Sequence, residues 1–471
     1  MKINTRNKDC CNAANNRLKM WQVPYLNRYL KVKKRKTKEK DNIFNLSVFV
    51  VLMILAIQPL KMNAQIVIQD SVFTTTLDMN GSKWNNALIK NCTFKDIVLS
   101  DGIRIADADS ITIDSCYFYN IQGNGIRLHP SGGSNGIQIS NCVFDSIYGN
   151  GILAAEQHRN TKILNNRFNW IGLDTVSSEN GAPHHGIYFT GYNYLIEGNR
   201  ISNIYNAKGN CISVRSNGIV RNNVVWGATK NGIDYYSDHP AVGSLLLIEN
   251  NIVYDCARGI KIQDGGESYV DTSIIRFNTV IIANNMCVGI GPSLSMDIDI
   301  YANILVREDG NQYKIWAESP FDSAKNVLSN GDIGFVDFNN NDFHIIPGCI
   351  ADSYATGLTD FPTVDFEGDI RTVSDLDAGA DQIDSSTTGF YDNKPINKPI
   401  RIYPNPTSGH ILLRSISQDY QFKIKLFTVT GQIIIEVKNQ TMIDVSNVPD
   451  GVYFLSIEMN DLKEIHKIIK I

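Results

Sequence analysis

Residues 184–188 read His-His-Gly-Ile-Tyr, and the Gly-Ile pair recurs at Gly125-Ile126, Gly151-Ile152, Gly232-Ile233 and Gly259-Ile260, with Cys211-Ile212 as a variant. Aligning these isoleucines sorts the side chains around them into columns. One residue after each isoleucine stand Arg104, Arg127, Leu153, Tyr188, Ser213, Asp234 and Lys261. Two residues further stand Ala106, His129, Ala155, Thr190, Arg215, Tyr236 and Gln263. Two residues before stand Asn124, Asn150, His185, Asn210, Asn231 and Arg258. If the isoleucines point into a core, strand alternation is expected to lay these columns along one outer face.

The residue types there can do chemistry. Arg215, Arg258 and Lys261 can pair with carboxylates, arginine doing so in two-pronged fashion. Tyr188, Tyr235 and Tyr236 can stack on sugar rings. His185, Tyr188 and Lys261 can accept or deliver a proton where the surroundings move their pKa values toward neutrality. Asp234 and Asp238 offer carboxylates, and Arg127, His129, His184, Asn210 and His239 line the periphery. Each has a plainer reading. His184 and His185 can cap a loop, Arg258 and Lys261 can be a solvated pair, Asp234 can tie neighbouring repeats together, and Asp238 with His239 can form a turn before Pro240.

The elements that must position these residues are visible as a repeat. The pattern Ile-x-x-(Asn/Cys)-x-apolar begins at residues 89, 113, 139, 163, 196, 219, 248, 275 and 300. Spacings near 25 residues with short β-branched runs signal a solenoid in which each coil adds strands to parallel sheets. The fourth position runs Cys92, Cys116, Cys142, Asn166, Asn199, Asn222, Asn251, Asn278, Asn303. Stacked asparagines at sheet spacing form a hydrogen-bonded ladder, and cysteine fills the same inward slot as a small apolar residue. The longest spacing holds an insertion at 172–185 that can wall a groove.

Charge and targeting signals bound the rest. Net charge is −4, yet residues 1–42 carry 13 Lys+Arg against 3 Asp+Glu, leaving the remainder at −14. A chain this acidic is not expected to bind nucleic acid through its overall field. Residues 43–57 are almost wholly apolar, the length of a signal-peptide core, with a basic flank at 31–40 and Ala64 as a cleavage point. The leader is long, so Met20 is a second candidate start, and a retained anchor is the alternative. Two of the nine cysteines lie in the leader, and the other seven lack the paired spacing of a zinc site or a disulfide scaffold.

Four segments follow: a signal region at 1–64, the solenoid at 65–345, a closing segment and polar linker at 346–398, and alternating strands at 399–471, expected to form a small β-sandwich. The repeat resembles the right-handed parallel β-helix proteins of the pectate-lyase-like superfamily. Asp377–Gln382 resembles the turn that closes many secreted β-helices. Tyr403-Pro404-Asn405-Pro406, Gly431, Asp444 and Gly451-Val452-Tyr453-Phe454 closely resemble the C-terminal sorting domain of the type IX secretion system. The resemblance implies an all-β, secreted or surface-displayed, monomeric protein that meets polysaccharide and the secretion machinery. The pectate-lyase-like superfamily includes polysaccharide lyases, glycoside hydrolases, uronan epimerases and non-catalytic adhesins. The outer stripe leads to the expectation of a lyase acting on uronic-acid glycans, with Ca²⁺ or arginine (Arg215 or Arg258) neutralising the carboxylate and a base (Lys261, His185 or Tyr188) removing the C5 proton. The catalytic candidates are His185, Tyr188, Arg215, Asp234, Arg258 and Lys261. Glycoside hydrolysis and non-catalytic glycan adhesion are the competing classes. The adjacent Asp-Asp pair of polygalacturonases and the Asp-Pro-His motif of alginate epimerases are missing.

Overall fold

The computed structural model describes residues 65–471, apart from 175–182, 239–242, 267–269, 384–400 and short stretches at 404–406, 408, 415–421, 429–430, 441, 460–461 and 471. Each coil contributes three short strands to three parallel sheets of 11, 11 and 10 strands. The result is a right-handed parallel β-solenoid of about 10 turns. Strands of two to six residues suffice because successive coils are hydrogen-bonded to one another; Ile113, Ile139 and Ile163, for example, stand in register in the first sheet. The core is a set of stacks. Phe73, Phe94, Phe118, Phe144 and Phe168 pile face to face with ring centroids 4.5–4.8 Å apart. This matches the inter-strand spacing, so like side chains pack in the same rotamer coil after coil.

The corner between the first and second sheets explains the repeat motif. The residue before each ladder position takes a left-handed conformation: Asn91, Ser115, Asn141, Asn165, Gly198, Asn222, Asn250, Phe277, Ala302 and Lys325. Asparagine and glycine tolerate that conformation best. The next side chain turns inward. Asn199 Oδ1 accepts the Asn166 N–H at 3.0 Å, and Asn223 Oδ1 accepts the Asn199 N–H at 2.9 Å. The ladder continues through Asn251, Asn278 and Asn303 to Asn326. It thus satisfies backbone groups that a sharp, dry corner would otherwise orphan. The expected rung Asn222 is corrected to Asn223: Asn222 is the left-handed residue, and Val220, not Ile219, pairs with Ile196 and Ile248. Cys92, Cys116 and Cys142 occupy the same slot and are free thiols.

The parallel strands end at Val327–Ser329; Phe335–Asp337 and Asp342–Ile345, inside the span expected to be solenoid, instead pair antiparallel. From there to Ile383 the chain packs over the second sheet of the late coils, where Phe335, Phe343, Leu376 and Ala380 join Phe277, Ile304 and Val306 in a second apolar cluster. Phe277 is the one large apolar residue in the left-handed row. It is fully buried, with the Arg371 guanidinium 4.7 Å from its ring centroid, so packing overrides its backbone preference. Beyond the linker, a three-stranded and a four-stranded antiparallel sheet form a small sandwich around Ile411, Ile424, Leu455 and Ile457.

Candidate functional site

The third sheet positions the candidate residues. Its outward column pairs Arg104 with Arg127, Arg127 with Leu153, Leu153 with Tyr188, Tyr188 with Ser213, Ser213 with Asp234 and Asp234 with Lys261. That column runs in the register expected from sequence. In the column two residues before each isoleucine, the residues from Asn124 to Asn231 do not face outward. Those residues share the isoleucine's parity, and they form a second internal ladder at the corner. Asp101 Oδ1 accepts from Asn124 N, Asn124 Oδ1 from Asn150 N, and Asn150 Oδ1 from His185 N. His185 Nδ1 then accepts from Asn210 N at 3.0 Å, and Asn210 Oδ1 from Asn231 N.

His185 is therefore a ladder rung and not a free base. It is 2 % exposed, and burial with Arg215 nearby pushes its pKa well below the usual histidine value. Because Nδ1 accepts, the ring is neutral with its proton on Nε2, an atom with no hydrogen-bond partner among the described residues. Asn210 is likewise buried in the ladder and is withdrawn as a surface contact. Tyr235 is corrected too: it shares the parity of Ile233, lies in the core, and accepts the Val270 N–H on its hydroxyl. His239 and most of the 172–185 insertion lie outside the described residues.

Two clusters remain on the face. In the first, the Arg215 guanidinium lies 4.7 Å from the ring centroid of Tyr188 and 5.3 Å from that of Tyr236. It pairs with Asp238 and donates to Ser213 Oγ and the Val214 carbonyl. At 5 % exposure and already paired with Asp238, Arg215 braces the two tyrosines and is not poised to seize a substrate carboxylate. Burial raises the Tyr188 pKa, with Arg215 opposing. The ring of His185 meets that of Tyr188 edge-on at 4.9 Å.

The second cluster lies on the next coils. Asp234 is 3 % exposed and accepts from Asn210, Ser213, Asn231 and Gln263. Burial raises its pKa, while Arg215, Lys230, Gln263 and Lys261 hold it down. Around it stand three half-buried cations, Lys230, Arg258 and Lys261, none in an ion pair among the described residues. Burial and then Arg258 pull the Lys261 pKa below the ordinary lysine value. Arg258 takes the ladder position opposite Asn231 but cannot accept a hydrogen bond, so the internal ladder stops there. Asn231 Oδ1 and Arg258 Nε are left buried and unpartnered.

Toward the first coils, an open recess of about 320 Å³ is lined by Arg127, Pro130, Leu153, Gln157, Tyr188 and Thr190, among others. Arg127 is tethered 4.0 Å from Asp101, which also binds Arg104. His129 Nδ1 is shared with Ser131, and half-buried His184 has its pKa lowered by burial. Toward the last coils the outward column continues from Lys261 through Gly289 to Trp316. Trp316 was missed from sequence because its strand lacks the Gly-Ile signature; counting two more repeats past Lys261, through Gly289, would have reached it. No group of three acidic or histidine ligands lies on this face among the described residues. Asp352, Asp375 and Asp377 form such a group in the closing segment.

Comparison with known proteins fits this architecture. Residues 75–237 and 131–305 match the family model described as a right handed beta helix region. Residues 401–471 match the model described as a secretion system C-terminal sorting domain. No curated protein matches the sequence. Among solved structures, the native GH136 lacto-N-biosidase from Eubacterium ramulus superposes with a TM-score of 0.38 at 10 % identity, covering 57 % of this chain and 63 % of that one. A likeness of that size carries nothing about activity.

Proposed function

Because the chain is a right-handed parallel β-helix protein with a type IX secretion sorting domain, and is thereby exported to the cell surface or beyond, we propose that it is a polysaccharide lyase acting on uronic-acid glycans. The observation that carries this is the cluster of Lys230, Arg258 and Lys261 around a buried, saturated aspartate. In an acidic chain, three neighbouring cations with no ion-pair partner among the described residues suit an anionic ligand. Arg127 to Trp316 spans seven coil steps, about 34 Å at about 4.8 Å each, which suits a polymer.

Arg258, with Lys230, binds the uronate carboxylate and withdraws charge from C5. The Lys261 amine, whose basicity is brought closer to neutrality by burial and Arg258, takes the C5 proton. The C5–H electrons form the C4–C5 double bond as the C4–O4 bond breaks, and the departing oxygen takes a proton from solvent. Tyr188 stands three coils from Lys261, about 14 Å. It therefore belongs to a neighbouring sugar position and not to the same C5 atom. Hydrolysis would need two available carboxylates across one bond, whereas Asp234 is buried and saturated and Asp238 is held by Arg215. The test is ultraviolet absorbance of the unsaturated product with polygalacturonate, alginate and glycosaminoglycans. Tight binding with no absorbance change on any of them would replace the lyase with a glycan-binding protein.

A further inference from the structure

We propose that Trp316, with Tyr313 beside it, is a stacking subsite for a pyranose ring of the same glycan chain that crosses Lys261, one that does not select for a carboxylate. This rests on the reading of the face as a polysaccharide track. Trp316 stands two coils beyond Lys261 in the outward column, about 10 Å away, with Gly289 between them. Gly289 gives the intermediate coil no side chain of its own, and the Met286 side chain lies against that position instead. A Cβ added there would come within 2.3 Å of Met286 Sδ and 3.4 Å of Lys261 Cγ. Trp316 is 49 % and Tyr313 53 % exposed, and their rings meet at 78° with centroids 6.2 Å apart, making a corner with an aromatic floor and side.

The corner is braced. Arg307 pairs with Asp309 and donates to the Tyr313 carbonyl, and Asn311 Oδ1 accepts the Tyr313 N–H. Lys314 is buried and donates to the Asn311 carbonyl and to Asn330. Two large exposed aromatics on a fixed turn are pre-organised for a partner. A pyranose fits the chemistry: its C–H face packs on an indole while its hydroxyls stay wet at the rim. Glu318, exposed just past the end of the strand Ile315–Ala317, makes the position unwelcoming to a carboxylate. The Trp316 contribution is therefore apolar and insensitive to salt, whereas that of Arg258 is screened.

Full-length protein is tested by affinity electrophoresis against polygalacturonate, alginate and hyaluronan at low and high salt. Trp316→Ala should weaken binding to the preferred polymer by about tenfold at both salt concentrations. Trp316→Phe should keep most of the affinity. Arg258→Ala should weaken binding mainly at low salt. Leu328→Ala, at an exposed apolar residue of the second sheet, should change nothing, and equal melting temperatures confirm intact folds. Wild-type affinity in Trp316→Ala alongside a weakened Arg258→Ala overturns the subsite and leaves the track standing. A wild-type protein that binds none of the three polymers overturns both. A loss in Trp316→Ala that disappears in high salt overturns the charge-indifferent character of the subsite.

Discussion

Lys261 and His185 carry opposite expectations although the sequence offered both as proton carriers on the same face. Lys261 is half-exposed, with its pKa lowered by burial and by Arg258. Only the neutral amine can take a proton, so turnover should rise with pH through the Lys261 pKa, at a midpoint below the ordinary lysine value. Removing the Arg258 charge should move that midpoint upward, because the largest charge contribution to the lowering is gone while burial and Lys230 remain. Lys261→Met should cut kcat by about a thousandfold, the order expected of a lost general base; a variant with near-normal turnover assigns the base elsewhere. His185, by contrast, uses Nδ1 to cap Asn210 N inside the ladder. His185→Asn supplies the same acceptor that Asn124, Asn150 and Asn210 use on neighbouring coils, so fold and turnover should both survive. Unchanged melting with turnover abolished would restore His185 to the chemistry.

At the scale of the element, the ladder makes a prediction about two adjacent asparagines that look alike in sequence. Asn223 Oδ1 accepts the Asn199 N–H, and its Nδ2 donates to the Ile196 carbonyl and Asn251. Asn223→Ala orphans these groups in a dry corner, at a cost of about 2–5 kcal/mol for several unmade bonds. Asn222→Ala asks alanine to adopt a left-handed backbone, about 1 kcal/mol; urea melts showing the larger loss at Asn222 would reverse the register. The closing segment adds a pH-dependent joint. His344 lies between Asp342 and Glu367, which raise its pKa to about 10 against the opposing effect of burial, and burial raises Asp381 to about 7. Both folded-state values lie above the unfolded ones, so their stabilisation is present at low pH and is lost as pH climbs through 7 and then 10. Amide exchange at 342–345 and 365–383, corrected for intrinsic rate, should quicken over that range; a flat response would remove the joint. The solenoid itself was legible because stacking imposes identical demands every 25 or so residues, and the outward column was legible because sheet register transmits it from coil to coil. The misreadings share one cause. At 219–224 two asparagines in succession hid a one-residue offset, and the rule that isoleucine faces in was not carried back two residues to His185 and Asn210 or forward two to Tyr235. That Arg215 is engaged by Asp238, Ser213 and two tyrosines is a matter of three-dimensional packing that no spacing reveals.

At the scale of the whole molecule, the solenoid and the C-terminal sandwich solve different problems. Among the described residues, the two apolar clusters of the solenoid and its closing segment draw no member from beyond Ile383. The sandwich has its own core of Ile411, Ile424, Leu426, Ile443, Leu455 and Ile457. A long stack must cover its exposed apolar surface, and residues 335–383 do this over the second sheet of the late coils, with no residue of the sorting domain in that cluster among the described residues. Removing residues 401–471 should therefore leave the solenoid folded, with an unchanged β-sheet circular dichroism spectrum and the same glycan affinity as the full chain, while depriving it of the export signal that the sorting domain provides. In the native host the truncated protein should accumulate, soluble and active, in the periplasmic fraction, and disappear from the medium and the cell surface. Surface display of the truncated chain at normal levels would show that the signal lies elsewhere. An unfolded truncated chain would show that the sandwich is a structural cap as well as an address.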